Sequence, residues 1–312
     1  MAKVVKITIV FALIAGFPFA RGQAARPDAG IPAVAEGSVP AVPSEWPQVI
    51  LNVLVDAKKG ATDPVPASSL EIIEDGTPQK IESIAGPGSP VSLCILIDVS
   101  GSMTSKQSDV RDAAAALVKG LPPDSEVTVS AFAEKSYLVL PFTRAEAVDL
   151  SLFGRLKFGH HTALNDSVIV AEQYFVKFAR YPRRALVLIT DGGENASEHG
   201  ISDATHAMEA PTGPFVYVLE IFDPYAPTPE ERWPVANFFP STGVRIFRTS
   251  VAQDLPMGAT EISQCIDRQY SLSYRSALTT PNKHLHKIQV RLPAPDPNIK
   301  IESLPGYYIP SK

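Results

Sequence analysis

Two aspartates each follow an apolar run of strand length. Val91-Ser-Leu-Cys-Ile-Leu-Ile97 ends in Asp98, and Ala185-Leu-Val-Leu-Ile-Thr190 ends in Asp191. Ser100 and Ser102 stand at alternate positions beyond Asp98. Thr162 lies in a third segment, Gly159-His-His-Thr-Ala-Leu164, just before a stretch with helical periodicity. Carboxylate and hydroxyl oxygens are hard donors that suit Mg²⁺, Mn²⁺ or Ca²⁺ better than soft metals. Asp98, Ser100, Ser102, Thr162 and Asp191 together offer oxygen to five positions of an octahedral cation, with room left for water or a carboxylate from a partner. Taken alone, the segment from Asp98 to Ser102 reads equally well as a capped turn leading into a helix. The second aspartate and the threonine loop turn the balance toward a cation.

These oxygens meet only if the elements before them bring them together. The run 93–97 has no polar alternation, which predicts a strand buried on both faces of a parallel sheet. Val110, Ala113, Ala114, Leu117 and Val118 recur at helical spacing before Gly120 and Pro122-Pro123. Residues 126–132 alternate as a strand, with residues 137–140 as its pairing partner, and residues 145–156 read as a helix. Leu164, Val168, Ala171, Phe175 and Phe178 mark one face of a long helix that Pro182 stops. Further strands are expected over 185–190, 215–221 and 244–247, with helices near 202–209, 229–239 and 251–267. Repeated strand–helix units of this length imply an α/β, doubly wound, mostly parallel sheet covered on both faces. In such sheets ligands bind beyond the carboxyl ends of the strands, where Asp98 and Asp191 stand.

The two ends of the chain are β-rich. Strands are predicted over 49–56, 70–74 and 79–84, with Asp75-Gly76 as a tight turn, and again over 269–275, 287–292 and 299–301. Neither set buries much by itself, so both are expected to form one small all-β module carrying the α/β domain as an insertion. The domain reading is therefore 48–88 and 269–312 for that module and 89–268 for the insertion.

Before residue 48, Lys3 and Lys6 precede an apolar segment over 7–20, and Ala20-Arg-Gly22 offers small residues for cleavage, as in a secretory signal over 1–22. The apolar segment is short for a bilayer span, so membrane contact is expected only through an uncleaved signal. Residues 23–47, with five prolines among Ala, Gly and Ser, read as a flexible leader. Export places the chain in a periplasmic or extracellular compartment. Loss of Lys3, Lys6 and Arg21 takes the formal charge from −5 to −8. With no basic block, nucleic-acid binding has no electrostatic support. Export also permits a disulfide, yet Cys94 in a buried strand and Cys265 on a helix read more simply as two buried thiols.

The order Asp98-x-Ser100-x-Ser102, then Thr162 before a helix, then Asp191 in Thr190-Asp-Gly-Gly, resembles the metal-ion-dependent adhesion site of von Willebrand factor type A domains, over about residues 91–268. Asp56-Ala-Lys-Lys-Gly60, Glu74-Asp-Gly76, Gln269-Tyr270 with Tyr274, and Gly306-Tyr-Tyr308 are further similar to an exported bacterial subfamily of these proteins. The resemblance implies that Ser100, Ser102 and Thr162 are hydroxyl ligands of Mg²⁺ or a similar ion. Asp98 and Asp191 would hold charge and orient waters, and an Asp or Glu of a protein partner would complete the shell. It implies a binding domain of the adhesion type and not an enzyme.

His160 and His161 depart from the small residues usual in the threonine loop. They could touch a ligand or oppose binding at low pH; the plainer account is exposed rings that shape the loop. Asp166 is either a support of the ion's ligands or an acid placed at a helix N-terminus. Tyr270, Tyr274, Tyr307 and Tyr308 read as packing within the β module. Two alternatives stand beside binding. One is a metal-dependent hydrolase or phosphoryl-transfer enzyme using Asp98 or an activated water, against which the chain lacks a Gly-x-Ser-x-Gly elbow and a phosphate lysine motif. The other is an envelope scaffold in which the ion is only structural.

Overall fold

The computed structural model describes residues 9–10, 35–36, 47–57, 65–225, 243–278 and 284–309. In chain order its main elements are β1 (Gln48–Ala57), β2 (Glu71–Glu74), β3 (Thr77–Gln79), β4 (Ser83–Ala85), β5 (Ser92–Asp98), α1 (Gln107–Lys119), β6 (Glu126–Phe132), β7 (Ser136–Arg144), α2 (Leu164–Phe178), β8 (Arg184–Thr190), α3 (Ile201–Met208), β9 (Phe215–Ile221), β10 (Arg245–Thr249), α4 (Leu255–Asp267), β11 (Gln269–Arg275), β12 (His286–Arg291), β13 (Ile299–Ser303) and β14 (Gly306–Tyr307). Apart from a short antiparallel pairing of Ile9–Val10 with Ala35–Glu36, the expected signal and most of the leader lie outside the described residues. So does the helix expected over 229–239.

Six strands form the central sheet in the order β10-β9-β8-β5-β6-β7, parallel except for the antiparallel edge strand β7. From β5 the chain first builds outward through β6 and β7. It then returns to the other side of β5 to add β8, β9 and β10. The order therefore reverses between β5 and β8, and the crevice beyond their carboxyl ends is the place such sheets keep for ligands. Pairing of Ile97 with Ile189 brings the ends of both strands level.

Strand alternation sends side chains of β5 to opposite faces. Leu93, Ile95 and Ile97 join Val110, Ala113 and Leu117 of α1 and Ile262 and Ile266 of α4. Cys94 and Leu96 join Val168 and Phe175 of α2 and Met208 of α3. Full burial of each such aliphatic side chain contributes about 1.5–3 kcal/mol, which explains why the run carries no polar residue. Cys94 and Cys265 are both free and buried, in the clusters on opposite faces of the sheet.

Residues 145–156 do not form the expected helix. They make two short 3₁₀ turns, Ala145–Ala147 and Leu150–Arg155. The Asp149 carboxylate accepts the Ser151 backbone N–H at 3.0 Å and its hydroxyl at 2.7 Å, a local bond that competes with helix continuation. Leu152, Phe153 and Leu156 still reach the core.

The chain ends form two four-stranded antiparallel sheets, β13-β1-β11-β4 and β14-β12-β2-β3. Asp75 and Gly76, at φ 46° and 83°, make the hairpin turn between β2 and β3. The strand expected over 79–84 is instead divided between β3 and β4, which pair in different sheets; the chain crosses from one sheet to the other there. Val49, Leu51, Val53, Ile72, Leu272, Tyr274 and Tyr307 fill the space between the sheets. Glu74, 3% exposed, accepts the hydroxyls of Tyr274 (2.7 Å), Tyr307 (2.5 Å) and Ser276 (2.9 Å).

Arg183 joins this module to the α/β domain. The side chain is fully buried, and its guanidinium donates to the carbonyls of Gln269 (3.0 Å), Ile266 (2.5 Å), Asp267 (3.1 Å) and Ser89. Both chain crossings between the units are thus held by one side chain. Asn52 adds a second tie, donating to the Gly213 carbonyl and accepting from the Arg184 backbone and the Gln269 amide. These contacts lie at the amino ends of the central strands, opposite the edge where β5 and β8 end. Among the described residues, no helix is long and apolar enough to cross a membrane.

Candidate metal centre

Asp98 is fully buried at the end of β5, and both its oxygens are engaged. Oδ1 accepts the Ser100 backbone N–H at 2.9 Å. Oδ2 accepts the Thr190 hydroxyl at 2.7 Å. Thr190 in turn accepts the Gly192 N–H at 2.8 Å, so the loop after β8 is fastened to the carboxylate that ends β5. Gly192 sits at φ 81°, a conformation that glycine adopts without strain. Thr190 belongs to the Thr-Asp-Gly-Gly motif, but its bond to Asp98 depends on strand register and has no local signature.

The hydroxyls line the same edge. Ser100 Oγ lies 3.2 Å from Ser102 Oγ; Ser100 is buried at 1% exposure while Ser102 faces solvent. The threonine loop is held against them by the Gly159 N–H, which donates to the Val99 carbonyl at 2.7 Å. Gly101 packs against the same loop, a Cβ added there standing 3.4 Å from the His160 carbonyl oxygen. Thr162 uses its main chain for anchorage, donating its N–H to Asn195 Oδ1 at 2.9 Å and accepting the Asn195 N–H at 2.9 Å. Among the described residues its hydroxyl has no hydrogen-bond partner. A Cβ placed on Gly193 would lie 3.4 Å from Thr162 Oγ1 and 3.9 Å from Asp191 Oδ1, so these two donors flank the same glycine. All five expected residues are thus gathered at one sheet edge, graded from the buried Asp98 to the exposed Ser102.

Burial disfavours the charged form of Asp98 and the nearby Asp191 carboxylate adds repulsion, raising the Asp98 pKa to about 6 against the opposing bonds from Ser100 and Thr190. A site that concentrates negative charge out of water calls for a positive counterpart. Among the described residues there is no group of three or more His, Cys, Asp or Glu side chains able to hold a metal. The donor set here is different in kind: two carboxylates and three hydroxyls, a composition that fits a hard divalent cation.

Of the supporting residues only Asp166 stands out in the sequence; Glu134, Glu194 and Asn195 carry no local signal. Glu134, from the loop between β6 and β7, accepts the N–H groups of His160 (3.0 Å) and His161 (3.3 Å) through Oε1. Both histidines are exposed, as the plainer account of them expects. Asp166 lies in the first turn of α2. Its carboxylate accepts the N–H groups of Glu198 and His199 and bonds the His199 ring, pinning the loop after Asp191. Glu194 accepts the N–H of Asn165 at 2.9 Å, so that loop and the start of α2 hold each other.

Residues 93–194 match the von Willebrand factor type A domain. That match spans β5 to the loop after β8 and contains every residue of the candidate centre. Among solved structures, the chain is similar to a von Willebrand factor type A protein from Catenulispora acidiphila, at 13% identity over 85% of this chain and 75% of that one, with a TM-score of 0.49. It is also similar to BatB from Bacteroides thetaiotaomicron, at 21% identity over 56% of this chain and 98% of that one, TM-score 0.39. A third is the PilB minor pilin of Streptococcus sanguinis, at 11% identity over 59% and 62%, TM-score 0.46. No curated protein matches the chain.

Proposed function

We propose that this chain is a divalent-cation-dependent protein-binding domain of an exported bacterial protein, and not an enzyme. Ser100, Ser102 and Thr162 would hold Mg²⁺, or Mn²⁺ or Ca²⁺, through their hydroxyls. Asp98 and Asp191 would balance its charge and orient its waters. A cation held largely by neutral hydroxyls keeps a strong field toward an incoming carboxylate, and the partner would present an Asp or Glu side chain there. The observation that carries this reading is the division of labour at Asp98. Both of its oxygens are occupied, by the Ser100 N–H and the Thr190 hydroxyl, so the carboxylate organises the loops, while the Ser102 hydroxyl beside Ser100 stands at the exposed rim. The sequence has no Gly-x-Ser-x-Gly elbow, which favours binding over hydrolysis at this site. The amino-terminal basic and apolar segment supports export.

The test is capture of envelope proteins by the immobilised chain in Mg²⁺ and in chelator, alongside Thr162→Ala. A partner should be retained in Mg²⁺ alone and lost with the variant, whose melting temperature should stay near that of the wild type. Capture that ignores both the chelator and the substitution would remove the cation from the function.

A further inference from the structure

Lys106 lies at the junction of the 3₁₀ helix Gly101–Lys106 and α1. At the N-cap position of α1 its side chain makes no capping bond. Its ammonium instead turns to the candidate centre, donating to Asp191 Oδ2 at 2.9 Å with the Met103 sulfur 3.9 Å away. Lys106 and Asp191 are only 22% and 14% exposed, so the pair is shielded more than an ordinary surface bridge. Met103, fully buried, forms the floor under the ammonium.

Resting on the proposed cation site, we propose that Lys106 is a built-in competitor for that site, a tethered cation that neutralises Asp191 and sets how tightly a divalent ion binds. An ammonium on a four-carbon stem with three rotatable donors can meet Asp191 and swing aside without moving the helix. A divalent ion entering beside Asp191 must either displace that ammonium or share the carboxylate with it, and both oppose binding. The sequence carries only a lysine eight residues after Asp98, which by itself points to nothing.

The experiment is titration of the purified wild type and Lys106→Met with Mn²⁺, reading free Mn²⁺ by electron paramagnetic resonance at low and high salt. Methionine keeps the apolar stem and removes the charge. Its affinity should rise on the order of tenfold, the scale of removing one partly shielded charge from beside a divalent ion, and the gap should narrow at high salt. Binding seen only in the variant would support the inference in its strongest form. Equal or weaker affinity in the variant, or a gap indifferent to salt, would overturn the role of Lys106 while leaving the cation site standing. Failure of both proteins to bind Mn²⁺ would overturn the site itself, and the inference with it.

Discussion

Glu172 offers a test of how the core around the threonine helix is held. It lies in the body of α2, is 2% exposed, and neither carboxylate oxygen has a hydrogen-bond partner among the described residues. Burial raises its pKa from an ordinary 4.5 to about 8, with the Arg184 guanidinium pulling the other way. The folded chain therefore keeps a proton that the unfolded chain releases. Stability contributed by that proton is present at low pH and is lost as pH rises between 4.5 and about 8. The slope is about 1.4 kcal/mol per pH unit, or roughly 3 kcal/mol between pH 5 and pH 7. Glu172→Gln keeps the shape and cannot ionise. Urea denaturation of both proteins should give a stability difference that shifts by roughly 3 kcal/mol in favour of the variant between pH 5 and pH 7. Asp98 and Glu209 are also raised by burial, to about 6 and about 7, but both are present in each protein and cancel in the comparison. A difference that stays constant across this range would show that Glu172 is paired or hydrated in solution and would refute the reasoning.

Two further outcomes concern the join between the units and the interior of the β module. Arg183→Met should destabilise the chain by about 2–4 kcal/mol in urea, because the apolar stem is retained while four carbonyl oxygens lose their donor; an unchanged midpoint would remove Arg183 as the tie. Glu74→Ala should cost about 3–5 kcal/mol by leaving the hydroxyls of Tyr274, Tyr307 and Ser276 without their acceptor, and Tyr307→Phe should recover part of that loss in the double variant.

Much of this molecule could be read from one dimension because its signals are local. An apolar run without alternation reports burial on both faces, and β5 and β8 are buried throughout. The residues that end those runs are located by the same reading, since the apolar pattern breaks at an aspartate, although Asp98 itself stays buried through its bonds to Ser100 and Thr190. Asp75-Gly76 reports a hairpin because its backbone needs positive φ. Where a side chain rewrote local structure the reading failed: Asp149 turned an expected helix into 3₁₀ turns, and the turn between β3 and β4 sent one apparent strand into two sheets.

What the sequence determined by itself was the kind of chemistry: hard oxygens at the ends of two buried strands, with hydroxyls near them. Tertiary structure decided which of those oxygens are available. Strand register sets Thr190 beside Asp98 and so occupies both carboxylate oxygens, while the turn before α1 carries Lys106 to Asp191. Neither bond joins neighbours along the chain, since residues 92 and 85 positions apart meet only once the sheet has formed. The physical reason is general. Burial and backbone conformation are written residue by residue, whereas a partner for a polar atom depends on everything that folding brings next to it.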